Sequence, residues 1–174
     1  MFVLLEAFIV LKHKYPDIRL KIAGLPIGDY ELNARDTTVL FDEFLRASNG
    51  VDYIGVVQGD AKRDLLNSSS VFVLPSYHKS EAIPLSIIEA MVSGCAIITS
   101  DHNYLPSLVG SDNGLLVKPN DVESLVGAME RYITTPALLK KHQLNNVLYA
   151  SENFSEEAYL LCLEQVLKTL GHCR

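Results

Sequence analysis

Apolar and polar positions follow two rhythms along this chain, and the changes between them mark its elements. Phe2, Leu5, Phe8 and Ile9 share one face of a helix, which Tyr15, Pro16 and Asp17 break. A strand is predicted over 18–23, ending at Gly24. The spacing of Leu32, Val39, Leu40 and Phe44 predicts a helix over about 31–47, stopped by Asn49 and Gly50. A strand over 51–57 and a short helix near 61–67 come next. The run 71–74 is wholly apolar, as expected of a buried parallel strand. A polar loop over 75–82 leads into a helix over about 83–93, with Pro84 in its first turn and Gly94 at its end. Strands over 95–99 and 115–117 and helices over 121–133, 136–150 and 155–170 complete the pattern.

Strand–helix alternation of this kind predicts right-handed β-α-β units and an α/β, doubly wound parallel sheet of Rossmann-like type. Ligands of such sheets bind beyond the carboxyl ends of the strands, so the loops 75–82 and 100–106 become the places to look for chemistry.

Composition narrows the function classes. The 174 residues fit one domain, and a hydrophobic fraction of 48% with 21% charged residues is that of a globular chain with a real core. A net charge of −6 without any basic block argues against nucleic acid as a partner. Cys95, Cys162 and Cys173 show no paired spacing, and the five histidines show no ligand spacing, so neither a disulfide framework nor a metal site is expected. The opening apolar run lacks a basic leader and carries Glu6, unlike a signal peptide. No uncharged apolar run reaches the length of a transmembrane helix.

The helix start after the 75–82 loop offers unpaired amides near Ile83 and Leu85, which with the helix dipole can hold a diphosphate. Pro84 has no amide to leave unpaired. Glu81 stands eight positions before Glu89, and Leu85 and Glu89 lie one above the other on the helix. An ionised Glu89 is a good acceptor for the vicinal diol of a ribose. Other readings of these residues stay open. Ser86, Glu89 and Ser93 also suit the solvent face of an ordinary amphipathic helix. The two carboxylates could instead be the acid–base pair of a glycoside hydrolase. The absence of G-x-G-x-x-G after a strand argues against a dinucleotide-dependent oxidoreductase.

A larger ordered set of motifs surrounds this helix. It comprises Leu74-Pro75-Ser76, Glu81-x7-Glu89, Glu89-Ala90-Met91 before Ser93-Gly94, Ser100-Asp101, the 113–119 stretch from Asn113 to Pro119, and Phe154-Ser155. Leu4-Leu5-Glu6-Ala7-Phe8, Tyr15-Pro16 and Ile54-Gly55 precede it in order. Together they resemble the nucleotide-sugar-binding C-terminal domain of family 4-type retaining glycosyltransferases with the GT-B fold, over nearly the whole chain.

The resemblance implies a donor-binding half that transfers a sugar from a nucleotide-diphosphate sugar to a glycan or lipid-linked acceptor, on the cytoplasmic side. No cofactor and no metal are implied. Glu81 would act in catalysis, contacting the donor sugar or its leaving phosphate. Ala82, Ile83, Pro84 and Leu85 would line the diphosphate and sugar, Glu89 would bind ribose, and Gly55 and Val56 would flank the base. The alternative from another class is a non-catalytic nucleotide-binding or scaffold module of the same fold.

Two positions depart from the pattern: His102-Asn103-Tyr104-Leu105 stands where many relatives have a glycine pair, and Ala82 where glycine is common. The resemblance also implies a single domain over 1–174, with a core over 1–150 and a C-terminal helix over 151–174. The first, central strand and the N-terminal acceptor domain would be absent, so the chain by itself is expected to be inactive. The missing domain would then be a partner, and the full-length enzyme could associate peripherally with a membrane. In the order 3-2-1-4-5-6 the slot between 18–23 and 71–74 is expected empty or closed by rearrangement. Apolar faces are expected exposed on the opening helix and on the helix over 155–170.

Overall fold

A computed structural model describes residues 1–27, 33–78 and 83–171. Helix α1 (Phe2–Lys14) leads to strand β1 (Leu20–Ala23), helix α2 (Ala34–Ala47) and strand β2 (Val51–Gly55). Helix α3 (Gly59–Asn67), strand β3 (Val71–Leu74), helix α4 (Leu85–Val92) and strand β4 (Ala96–Ser100) follow. Helix α5 (Leu105–Leu108), strand β5 (Gly114–Val117) and helices α6 (Val122–Thr134), α7 (Pro136–Asn153) and α8 (Glu156–Gly171) close the chain. All pairings are parallel, in a two-stranded sheet β1-β2 and a three-stranded sheet β3-β4-β5. The α/β class and the parallel strands are as the pattern predicts.

Strand β4 is central to its sheet and buried at every residue. Its side chains alternate between two cores, as a pleated strand requires. Ile97 packs with Ile87, Met91, Leu105 and Val109 on one face. Ala96 and Ile98 pack with Ala7, Val117, Leu125 and Tyr132 on the other. Neighbouring β5 comes so close that a Cβ at Gly114 would stand 2.4 Å from Val109 Cγ1 and 2.8 Å from the Ile97 carbonyl oxygen. Only glycine fits that position. The motif residue Asn113 beside it has a structural task. Its Oδ1 accepts from the Gly110 amide at 2.7 Å, and its Nδ2 donates to the Leu108 carbonyl at 3.2 Å. Ser155, from the Phe154-Ser155 motif, caps α8 by accepting from the Ala158 amide.

Polar groups are buried in this half, and most find partners. The Tyr132 hydroxyl donates to the Ile97 carbonyl at 3.2 Å and shares a 2.7 Å hydrogen bond with Nδ1 of His142. Asn146 Nδ2 donates to the Cys95 carbonyl at 2.8 Å. These bonds tie α6 and α7 to β4. Burial lowers the pKa of His142 and pushes the Cys95 thiol up to about 11.

Several expectations are corrected. Helix α2 starts after an Asn33 cap that accepts from the Arg35 and Asp36 amides, and it turns Thr37 and Phe41 inward. Val39 is exposed, because the packing partners Phe2 and Tyr53 lie on the Phe41–Phe44 side. Leu32 and Glu31 lie outside the described residues. The strand expected over 51–57 ends at Gly55, whose φ of 74° turns the backbone out of the sheet. Pro106 belongs to a short helix, α5, rather than to a loop. The opening helix does not expose its apolar face: Leu5, Ala7, Phe8 and Leu11 are buried, and α1 packs against α6. Lys14 and the Tyr15 hydroxyl both donate to Glu130 there. Helix α8 does expose Tyr159, Leu160, Leu161, Leu163, Val166 and Leu167.

The two sheets do not pair with each other. A cleft of about 1000 Å³ lies between them, bounded by Leu20 and Ile22 of β1, Val71 and Val73 of β3, and Leu4 and Phe8 of α1. The order β2-β1, gap, β3-β4-β5 is that of a doubly wound sheet without its central strand.

Candidate functional site

The carboxyl ends of the strands meet at the mouth of this cleft, where Gly24, Val56, Val57, Pro75, Ser76, and Tyr77 come together. The edges are tied by short bonds. The Gly24 amide donates to the Gly55 carbonyl at 2.8 Å, and the Tyr53 hydroxyl donates to the Gly24 carbonyl at 2.8 Å. Thr99 Oγ1 donates to the Leu74 carbonyl at 2.9 Å, which fixes the end of β3 against β4.

Both loops singled out by the pattern converge here. The His78 carbonyl accepts from Asn103 Nδ2 at 2.9 Å and lies 3.2 Å from His102 Nε2. Asn103 has a φ of 49°. Asparagine tolerates this left-handed region better than most residues. The Tyr77 and His78 rings stack with centroids 5.7 Å apart and planes nearly parallel, at 6°.

Helix α4 begins at Leu85, two residues later than its spacing suggests. Pro84 sits outside it as the N-cap, with φ −71° and an extended ψ of 120°. The residue that was expected in the first turn therefore precedes it, and the leading unpaired amides become those of Leu85 and Ser86. The Ile87 amide already donates back to the Pro84 carbonyl at 3.0 Å. Ile83 and Leu85 are exposed by 50% and 73%, so this helix start faces solvent. Ile87, Ala90 and Met91 anchor the opposite side of α4 in the core.

Of the residues the sequence pointed to, Glu81 and Ala82 lie outside the described residues. Val56 lines the cleft, next to Gly55 at the end of β2. Glu89 lies one turn beyond Leu85 and Ser86, and Ser86 lines the cleft. The structure adds a residue that spacing did not reveal. Lys62 of α3 forms an ion pair with Glu89 through Oε2, and Lys62 also lines the cleft. A single lysine in a short helix carries no local signal, since its partner is 27 residues away in sequence.

Among the described residues no group of three or more His, Cys, Asp or Glu side chains is placed to hold a metal ion. No helix among them is long and apolar enough to cross a membrane.

A family model described as "Glycosyl transferases group 1" matches residues 1–148. The chain belongs to this family. An uncharacterized glycosyltransferase of Haemophilus influenzae is 30% identical over 167 residues, covering 88% of this chain and 42% of that protein. Among solved structures, the C-terminal domain of a glycosyl transferase group 1 family protein (LpcC) from Francisella tularensis superposes with a TM-score of 0.70. It is 21% identical and covers 88% of this chain and 78% of that domain. Anabaena HepE, solved in complex with UDP, superposes with a TM-score of 0.79 at 18% identity, covering 99% of this chain and 45% of HepE. This group 1 glycosyltransferase chain thus has the fold of a C-terminal GT-B domain. It spans less than half the length of the Haemophilus relative and of HepE.

Proposed function

We propose that this chain is the donor-binding half of a retaining glycosyltransferase acting on the cytoplasmic side of polysaccharide or glycolipid assembly. The observation that carries the reading is that Val56, Ser86 in the first turn of an exposed helix, and Lys62, the ion-pair partner of Glu89, line one cleft in a chain of this family. HepE, of the same fold, is described with UDP, which makes a uridine diphosphate sugar the natural first donor to test.

In this reading the base lies against Gly55 and Val56, and Glu89 accepts hydrogen bonds from the ribose diol. The diphosphate meets the Leu85 and Ser86 amides beside Ile83 and Pro84. Transfer breaks the bond between the anomeric carbon and the phosphate oxygen. It forms a bond from that carbon to the acceptor oxygen on the same face. The electron pair of the broken bond leaves with the diphosphate, whose phosphate oxygen takes up the proton released by the acceptor hydroxyl; the amides and the helix dipole stabilise the growing charge, with no metal in the reaction. Glu81 and Ala82 are assigned to the donor sugar and its leaving phosphate. The acceptor belongs to a second, N-terminal domain facing this one, so the 174-residue chain alone binds donor without transferring sugar. Positioning of both substrates needs both walls of the cleft.

Titration calorimetry with UDP tests the reading. Binding is expected on the order of 0.1–10 mM, equivalent to roughly 3–5.5 kcal/mol. Glu89→Ala should weaken UDP about 10- to 100-fold while leaving free pyrophosphate nearly unchanged, since pyrophosphate has no ribose. Equal losses for both ligands would sink the ribose assignment. Sugar transfer by the isolated chain would sink the two-walled mechanism.

A further inference from the structure

We infer that Lys62 is a positioning residue for nucleotide recognition, holding the Glu89 carboxylate in the orientation that reads a ribose. The inference rests on the donor-binding reading above and adds to it a residue on a different helix.

Helix α3 follows the β2 end directly, so Lys62 shares the cleft wall with Val56 and Val57 while its Nζ reaches Glu89 on α4. Lys62 therefore stands between the residues assigned to the base and the residue assigned to the ribose. The Glu89 oxygen facing Lys62, Oε2, is itself buried and, among the described residues, meets no hydrogen-bond partner beyond that ion pair. The Glu89 side chain as a whole is nonetheless 43% exposed, so its other atoms carry the exposure. The two oxygens are thus unequal. Lys62 compensates Oε2, and Oε1 is the oxygen assigned to a ligand hydroxyl.

A free glutamate on a helix surface samples several rotamers, and ordering it on binding costs affinity. An ion pair that already fixes the carboxylate removes that cost, which is preorganisation in its ordinary sense. With its side chain 36% exposed, Lys62 is reached by water, and its role lies in orientation rather than in fold stability.

The test compares UDP, 2′-deoxy-UDP and pyrophosphate by calorimetry on the wild-type chain and on Lys62→Met, Lys62→Gln, Lys62→Arg and Glu89→Ala. In Lys62→Met, UDP should weaken on the order of tenfold, and the preference for UDP over 2′-deoxy-UDP should fall towards unity. Pyrophosphate should change less than about twofold. Lys62→Arg should restore most of the ribose preference, since a guanidinium can also pair with Oε2. If Lys62→Met does not fold, Lys62→Gln, which keeps a polar stem, gives the same comparison. Parallel losses for UDP and pyrophosphate with the ribose preference intact would overturn the inference, because Lys62 would then be a phosphate ligand. Unchanged ribose preference in Lys62→Met, with loss in Glu89→Ala, would overturn it while leaving the donor site standing. Unchanged ribose preference in Glu89→Ala would remove the ribose assignment itself.

Discussion

The two sheets of this molecule come from one chain and one repeating β-α plan, yet they are built to different depths. Every residue of β4 is buried between two apolar cores, with β3 and β5 on either side. In β2, by contrast, Asp52, Tyr53 and Ile54 are all exposed, and β1 alternates between half-buried and exposed residues. The difference follows from coverage. Strand β4 has α4 and α7 on one face and α1 and α6 near the other, whereas the β1-β2 pair borders the open cleft. Regular strand geometry is therefore compatible with very unequal local stability, and the half that carries the buried network should set global unfolding.

The widest separation is expected from core truncation. Ile97→Ala should cost about 2–5 kcal/mol in urea unfolding, because the side chain is wholly buried and the strand cannot collapse around the gap. Ile54→Ala, at a side chain 42% exposed, should cost less than about 1 kcal/mol. Similar costs at both sites would show that the β1-β2 half is closed in solution.

Hydroxyl removal should sharpen the same contrast at a smaller scale. Tyr132→Phe leaves Nδ1 of His142 and the Ile97 carbonyl short of a buried partner, a loss of about 1–3 kcal/mol. Tyr53→Phe removes an exposed bond to the Gly24 carbonyl that water can replace, so its unfolding midpoint should move by well under about 1 kcal/mol equivalent.

The smallest effect is a pH dependence confined to the β4 half. Burial lowers the pKa of His142 below its ordinary 6.5, so the unfolded chain binds its proton first as pH falls. The contribution of neutral His142 is complete above pH 6.5 and is lost as pH drops from there through its lowered value. Glu130 and Asp112 have pKa values held below their ordinary 4.5 and 3.8 by Lys14 and Lys141, and act in a more acidic window. Denaturation midpoints between pH 7 and 5 should therefore fall in the wild type and flatten in His142→Gln. A slope that survives the substitution would assign it to another group.

Much of the β4 half was legible in the sequence, for a physical reason. A strand buried on both faces must be apolar throughout, so 71–74 and 95–99 announced themselves without any knowledge of their neighbours. Gly94 ends α4 as read, with a φ of 76°. The β1-β2 half was read less well. Its second strand stops at Gly55 rather than at residue 57, and Val39, one of the apolar positions that mark α2, is exposed, because a half-covered element has its inner face chosen by distant partners such as Phe2 and Tyr53.

The site divides in the same way. Sequence alone determined that a helix would start after the end of β3 and carry Glu89 one turn beyond Leu85, since helix spacing and strand order are local properties. Tertiary structure decided that the helix starts at Leu85 and not at Ile83, and that Asn103 and His102 reach the His78 carbonyl. It also decided that Lys62 meets Glu89. Those contacts depend on where two separate helices or loops are carried by the sheet beneath them, and the pattern of a single segment holds no record of that placement.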